Sequence, residues 1–196
     1  MVRLMIGSVN EYALETCAGM PSAPPLAAVN QAFWEFWLEL RGDRAMPAAG
    51  DINPAGFRHL LPHVRCMRWD GPERVVFTLW GTGLGEWLKV DPTGQNVFDL
   101  IPKAERSREK VRLENLHRYP CAFVQQRSVT DVRGTTFLFE FLTLPVAAGA
   151  DGAPRMIGTG AFCSDAPLGR ADADPDQRTV QRSFRYIDIG FGVPAE

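Results

Sequence analysis

The residues able to do chemistry are few and widely separated. Four cysteines, Cys17, Cys66, Cys121 and Cys163, are scattered with no CxxC pair, so neither a zinc site nor a disulfide framework is expected. They read as reduced thiols. Ser8, Ser22, Ser107 and Ser128 stand in no nucleophile elbow, because no Gly-x-Ser-x-Gly occurs. Gly81-Thr82-Gly83-Leu84-Gly85 is glycine-rich, but it lacks the spacing of a dinucleotide fingerprint, and no Walker lysine follows. His59 and His63 flank Leu60-Leu61-Pro62 and read as structural or exposed. Glu140 alternates with leucines. Such a carboxylate could sit in a pocket with a raised pKa, although a lone Glu on a half-exposed strand face is ordinarily just solvated. No catalytic residue and no metal ligand set is assigned, and the chain is not expected to be an enzyme.

The elements that must position these groups follow from periodicity. Val29, Phe33, Phe36, Trp37 and Leu40 recur at helical spacing over Leu26–Leu40 and form one apolar stripe. Trp34 and Leu38 fall on the other side among polar residues, which marks them as a candidate interface, most simply a homodimer contact. Asn53-Pro54 opens a short helix ending near Leu61-Pro62. Strands are expected at Val64–Trp69 and Arg74–Gly81, a small helix at Thr82–Leu88 and a longer one at Lys103–Tyr119. On that longer helix Glu105, Arg106, Glu109 and Lys110 read as a solvated face. Cys121–Thr130, Thr135–Pro145 and Met156–Ser164 complete the strands, the first two joined at Asp131–Gly134. Along the middle one, Phe137, Phe139 and Phe141 share a face, while Leu138, Glu140, Leu142 and Leu144 share the other. Asp165–Asp176 reads as a linker, and Ser183–Ile189 as a last alternation, a docking tail. The division is a flexible leader over 1–25, one domain over 26–164, and a linker with tail over 165–196. A strand pair, a helical insert and a three-strand meander make an α+β arrangement.

Composition narrows the function classes. At 45% hydrophobic and 10% aromatic residues the chain can bury a real core. Its formal charge is 21 − 23 = −2 with no run of like sign, which speaks against nucleic acid as a partner. No apolar run approaches the roughly 20 residues of a membrane helix, and Asn10, Glu11 and Glu15 interrupt any signal-peptide stretch. A cytoplasmic location is the expectation, with no membrane contact.

The element order is the PAS order, and local motifs sharpen the likeness. Gly42 through Met46-Pro47, then Asp51-Ile52-Asn53-Pro54 and Leu60-Leu61-Pro62-His63, resemble the opening segment of a family of short bacterial single-domain PAS-like proteins, the fifth PAS family. Phe77-Thr78-Leu79-Trp80-Gly81-Thr82 resembles its second strand. Asp91-Pro92-Thr93-Gly94 resembles its acidic-Leu-Thr-Gly turn, with Pro92 as a departure. The resemblance covers Leu26 to Ser164. It implies a five-stranded antiparallel sheet with helices on one face plus the extra N-terminal helix. It also implies a non-catalytic sensory or signalling role, with a second copy or a signalling protein such as a kinase or response regulator as partner. Members share no catalytic residues to carry over.

Against that background two cofactors can be weighed. Light-sensing PAS domains carry Gly-X-Asn-Cys-Arg-Phe-Leu; here the stretch is Gly94-Gln95-Asn96-Val97-Phe98-Asp99-Leu100, and Val97 cannot form the flavin adduct. In haem-sensing members a histidine on the long helix binds iron, and His117 lies near the end of that helix. A solvent-facing His favoured by the helix dipole is the simpler reading. No cofactor is assigned, and an enzyme or a haem-binding sensor on a related α+β fold is kept as the alternative. The expected ligand, if the core is not simply filled, is small and apolar, in a pocket walled by Phe77, Leu79, Trp87, Phe98 and Phe137.

Overall fold

The computed structural model describes residues 25–131, 133–163, 167–170 and 179–195. Its centre is an antiparallel sheet. Strands β1 (Val64–Trp69), β2 (Val75–Trp80), β3 (Cys121–Thr130), β4 (Thr135–Val146) and β5 (Arg155–Phe162) stand in the order β2-β1-β5-β4-β3. These are the five expected strands. A two-residue β6 (Gly169–Arg170) pairs with the start of β4, and β7 (Thr179–Asp188) pairs along the whole of β3, from Cys121↔Asp188 to Val129↔Thr179. The expected tail is therefore a full strand of the sheet, longer at its start than the alternation from Ser183 suggests. Of the expected 165–176 linker only residues 167–170 are described, and they include β6; most of the leader lies outside the described residues.

Helix α1 (Ala28–Arg41) covers one face of the sheet; α2 (Thr82–Leu88) and α3 (Lys103–Arg118) cover the other. Strand alternation dictates this double coating. Leu142 and Leu144 pack under α1 with Val124 and Ile157, whereas Phe139 and Phe141 turn to the opposite side beside Trp87 and Leu88. On that opposite side Leu113 and Leu116 of α3 meet Cys121, Phe123 and Met156. The shared faces expected along β4 are those observed. Gly160 of β5 lets α2 close down: a Cβ there would stand 2.8 Å from the Phe141 ring and 2.9 Å from Leu84.

The buried side of α1 departs from the expected stripe. Trp34 and Leu38 are 2% and 9% exposed and belong to the same core as Phe33 and Trp37, while Val29, Phe36 and Leu40 are only half-buried. The reading of Trp34 and Leu38 as exposed on a second surface is thus corrected. The helix is apolar over more than half its circumference, so two stripes fit the spacing. The sheet takes the arc centred on Asn30 and Trp37, and Phe36 leans instead on Phe57, 5.1 Å between ring centres. Asn30 belongs in that arc because its amide ties the helix to Glu140 and Thr159 of the sheet. Among the described residues no helix is long and apolar enough to cross a membrane.

Candidate functional site

A cavity of about 430 Å³ lies between the sheet and the helical insert. Phe77 and Trp80 of β2, Phe141 of β4, Leu88 at the end of α2, and Val97, Leu100 and Ile101 from the segment before α3 form its apolar wall. Asn96 shapes that segment. Its side-chain oxygen accepts from the Phe98 N–H at 3.4 Å, capping the 3-10 helix Val97–Leu100, and from the Val75 N–H at 3.2 Å. One side chain ties the segment to β2.

The inner end of the cavity is polar. Period-two alternation on β3 puts Gln125 and Arg127 on the face that also holds Cys121 and Phe123. Helical spacing puts Glu105 and Glu109 in line with Leu113 and Leu116 of α3. The two rows meet. Gln125 Nε2 donates to Glu109 Oε1 at 3.1 Å, and Arg127 donates to Gln125 Oε1 at 3.3 Å and to Glu105 at 2.5 Å. Arg127 Nε reaches Thr179 Oγ1 of β7 at 2.8 Å. Arg112 pairs with the outer oxygen of Glu109 at 3.4 Å and lies over the Phe184 ring of β7 at 3.6 Å. Strand β7, read from the sequence as a tail, thus helps to build the cavity wall. The expected solvated face of α3 is corrected in the same stroke: Glu109 is buried and Glu105 faces Arg127. Charges read as surface from sequence become interior when the opposite strand brings a complementary row.

Arg65 of β1 closes the polar end. It is 7% exposed, donates to Thr143 Oγ1 at 2.6 Å and lies with its guanidinium carbon 4.8 Å from the Phe141 ring centre. Its Nε has no partner, and among the described residues it forms no ion pair. Burial pulls its pKa down to about 10, opposed by the charge of Glu109 and aided by that of Arg127. At neutral pH it remains a buried cation. Neither periodicity nor a motif singles Arg65 out. The one signal available is its alternation with Val64 and Cys66, which face the α1 side.

Of the expected wall residues, Phe77 lines this cavity. Phe98 sits in the core beneath α3, and Leu79 packs toward the α1 face. Trp87 and Phe137 belong to a separate aromatic cluster with Phe139 and Phe162; Trp87 and Phe162 lie 4.7 Å apart. His117 is not solvent-facing. Its Nε2 lies 2.9 Å from the Arg155 carbonyl and 3.3 Å from that of Val146, away from the cavity lining, and burial lowers its pKa. The His63 ring lies tilted against that of Trp87, 4.9 Å between centres. The thiols of Cys66, Cys121 and Cys163 are pushed by burial to about 11, 12 and 11.

Glu140 is buried, 5% exposed, on the α1 face. Its Oε1 accepts from the Ala27 N–H at 2.7 Å and from Asn30 Nδ2 at 2.9 Å, and its own carbonyl accepts from Asn30 at 3.2 Å. Thr159 of β5 donates to Asn30 Oδ1 at 2.6 Å. The carboxylate satisfies N–H groups at the start of α1, where the helix dipole favours negative charge. None of these hydrogen-bond partners titrates near neutrality, so Glu140 is a structural anchor rather than half of an acid–base pair. The expectation of a solvated or pocket carboxylate is corrected accordingly.

An antiparallel sheet in the order β2-β1-β5-β4-β3, with a helical insert enclosing a cavity on one face, defines a PAS-type sensory fold. A family model described as PAS domain matches residues 27–161, and the chain belongs to that family. No curated protein gives a significant match. Solved structures similar to this chain include a fungal LOV domain photoreceptor linked to a conserved pathway integrating blue light and oxidative stress, at 18% identity, 51% of this chain, 73% of that chain and a TM-score of 0.39. A LOV domain studied with a flavin analogue matches at 16% identity over 57% of this chain and 84% of its own, TM-score 0.43. The LOV domain of Aureochrome1 in its light state matches at 14% identity over 58% and 90%, TM-score 0.41.

Proposed function

We propose that this PAS domain is a non-catalytic sensory module that takes a small, largely apolar ligand into the cavity beneath α2 and α3 and presents its state to a signalling partner. The observation that carries this reading is the cavity itself. At about 430 Å³ it has the size of a small-molecule site, and an apolar wall with a few convergent polar groups is what such sites require. The anchoring role of Glu140 supports the non-catalytic part, since the candidate acid–base residue is spent on holding α1. A partner has a direct structural handle: strand β4 carries the cavity-wall residue Phe141 on one face and packs Leu142 and Leu144 under α1 on the other, so a change in the cavity reaches α1 across one sheet. Native mass spectrometry of the purified full chain tests the proposal. The expected spectrum shows adducts of a few hundred daltons that disappear on denaturation, together with a partner or second copy. A chain that remains ligand-free and shows no thermal shift with apolar probes would remove the sensory half.

A further inference from the structure

The polar end of the cavity carries an unspent charge. Both acidic residues of its lining are engaged: Asp99 pairs with Arg106 at 3.7 Å, and Glu109 with Arg112 and Gln125. Arg127 is paired with Glu105. Arg65 is left, more than nine-tenths buried, with one hydrogen bond to a neutral hydroxyl and an Nε that meets nothing. The Glu109 charge is felt at Arg65 but makes no ion pair with it; a buried cation without such a partner is costly, and a buried N–H without an acceptor adds to that cost. Folding would favour an apolar residue here unless something supplied the missing charge. Lys89 and Lys103 also line the cavity but are solvent-exposed, and Phe77, Trp80, Leu88 and Val97 give it an aromatic and aliphatic wall.

We propose that the cavity binds a small organic acid, whose carboxylate pairs with Arg65 while its alkyl or aryl body lies against Phe77, Trp80, Leu88 and Val97. A carboxylate fits the donor set better than a phosphate dianion does, because among the described residues Arg65 is the one buried cation of the lining without an ion pair, not one of a buried cluster. Guanidinium–carboxylate pairing is also short and directional, and it is strengthened where water is excluded. The Phe141 ring beneath the guanidinium and the Thr143 hydroxyl fix the orientation of Arg65 before the ligand arrives.

This inference rests on the sensory reading above, and the experiment separates the two. Unbranched carboxylates from butanoate to decanoate, and the alcohols of matching chain length, are titrated into the full chain, with tryptophan fluorescence and calorimetry as readouts. Trp80 lines the cavity and reports directly. The expected result is that a carboxylate binds at least tenfold tighter than its alcohol, a difference of about 1.4 kcal/mol. In Arg65→Met that preference vanishes while alcohol binding persists; in Lys103→Gln, at the exposed rim, it is kept. Arg65→Lys preserves the charge, and should Arg65→Met fail to fold, it carries the test through a preference reduced but still present. Equal affinity for acids and alcohols in the wild type overturns the carboxylate assignment and leaves the sensory reading standing. Absence of binding by any member of either series overturns both.

Discussion

Replacing Asn30 by leucine tests whether α1 is held to the sheet by the buried network at Glu140. The substitution keeps the branched outline of the side chain, at a somewhat larger volume, and removes both ends of the amide. Glu140 loses a donor at 2.9 Å, a charge-assisted bond that contributes about 1.5–3 kcal/mol. The Thr159 hydroxyl, fully buried, loses its acceptor at 2.6 Å, and an orphaned buried group of this kind costs about 1–3 kcal/mol. Added burial of the leucine offsets part of this, so a net loss of roughly 3 kcal/mol is expected, a large share of the stability of one domain. Thr159→Val alone leaves Asn30 Oδ1 without a donor and should cost about 1.5 kcal/mol. In the double variant nothing is left to orphan between positions 30 and 159. Its cost should fall short of the sum of the singles by about 1 kcal/mol or more. Urea unfolding followed by tryptophan fluorescence measures all four proteins, with Trp34 and Trp37 in α1 as local reporters. Hydrogen exchange adds the location: in Asn30→Leu the α1 amides should exchange faster than those of β3 and β4. Strict additivity, within about 0.3 kcal/mol, would show that Asn30 and Thr159 act independently and would refute the network.

Three further outcomes follow from the same geometry. Arg127→Met should destabilise the domain by about 3 kcal/mol in urea unfolding, because it strips the half-buried Glu105 and the buried Gln125 of their common partner. Gly160→Ala should cost about 1–3 kcal/mol and loosen α2, seen as faster exchange of the Thr82–Leu88 amides, since its methyl meets Phe141 and Leu84 at under 3 Å. The pH dependence between 5 and 7 should come from histidine. Burial lowers the pKa of His117, and of His63 in the same direction, so the unfolded chain binds the proton more readily. Stability is then full above the unfolded value of about 6.5 and falls as the pH drops from there toward the folded value. His117→Gln should flatten the dependence of the urea midpoint on pH over that window; an unchanged slope would contradict the assignment.

Much of the fold was legible because backbone periodicity is local. Phe139 and Phe141 against Leu142 and Leu144 need only the alternation of a strand to be sorted to opposite faces, and the sorting holds across β4. Turn chemistry bounded the elements in the same way: Asp131 accepts from the backbone of Arg133 and Thr135 at 2.8 and 2.9 Å and sets the β3–β4 hairpin. Strand β7 was only half legible. Its alternation from Ser183 is clear, but pairing with β3 is a contact between segments more than 50 residues apart, and nothing in the strand itself states it. The face of α1 was misread for a related reason. Its apolar arc admits two orientations, and the choice is made by Asn30, whose partners Glu140 and Thr159 come from distant strands.

The polar end of the cavity was the least legible part, and the reason is physical. Hydropathy assigns charged side chains to solvent because burial of a lone charge is expensive. That rule fails where two rows of polar residues, each unremarkable alone, meet across an interface. Glu105 and Glu109 lie one helical turn apart, in line with Leu113 and Leu116; Gln125 and Arg127 lie one strand period apart, in line with Cys121 and Phe123. Each row therefore points into the core by the same periodicity that places its apolar neighbours there, and each satisfies the other on arrival. A sharper reading of the sequence would extend an apolar stripe to the charged residues that continue it and look for a complementary stripe on another element. Applied here, that procedure recovers the Glu105–Arg127 and Glu109–Gln125 pairs but leaves Arg65 without a match from anywhere in the described chain. A row that closes on itself is explained by folding alone. Arg65 is the buried charge that does not close in this way, and that asymmetry, which the proposed carboxylate would complete, separates it from the other buried charges around it.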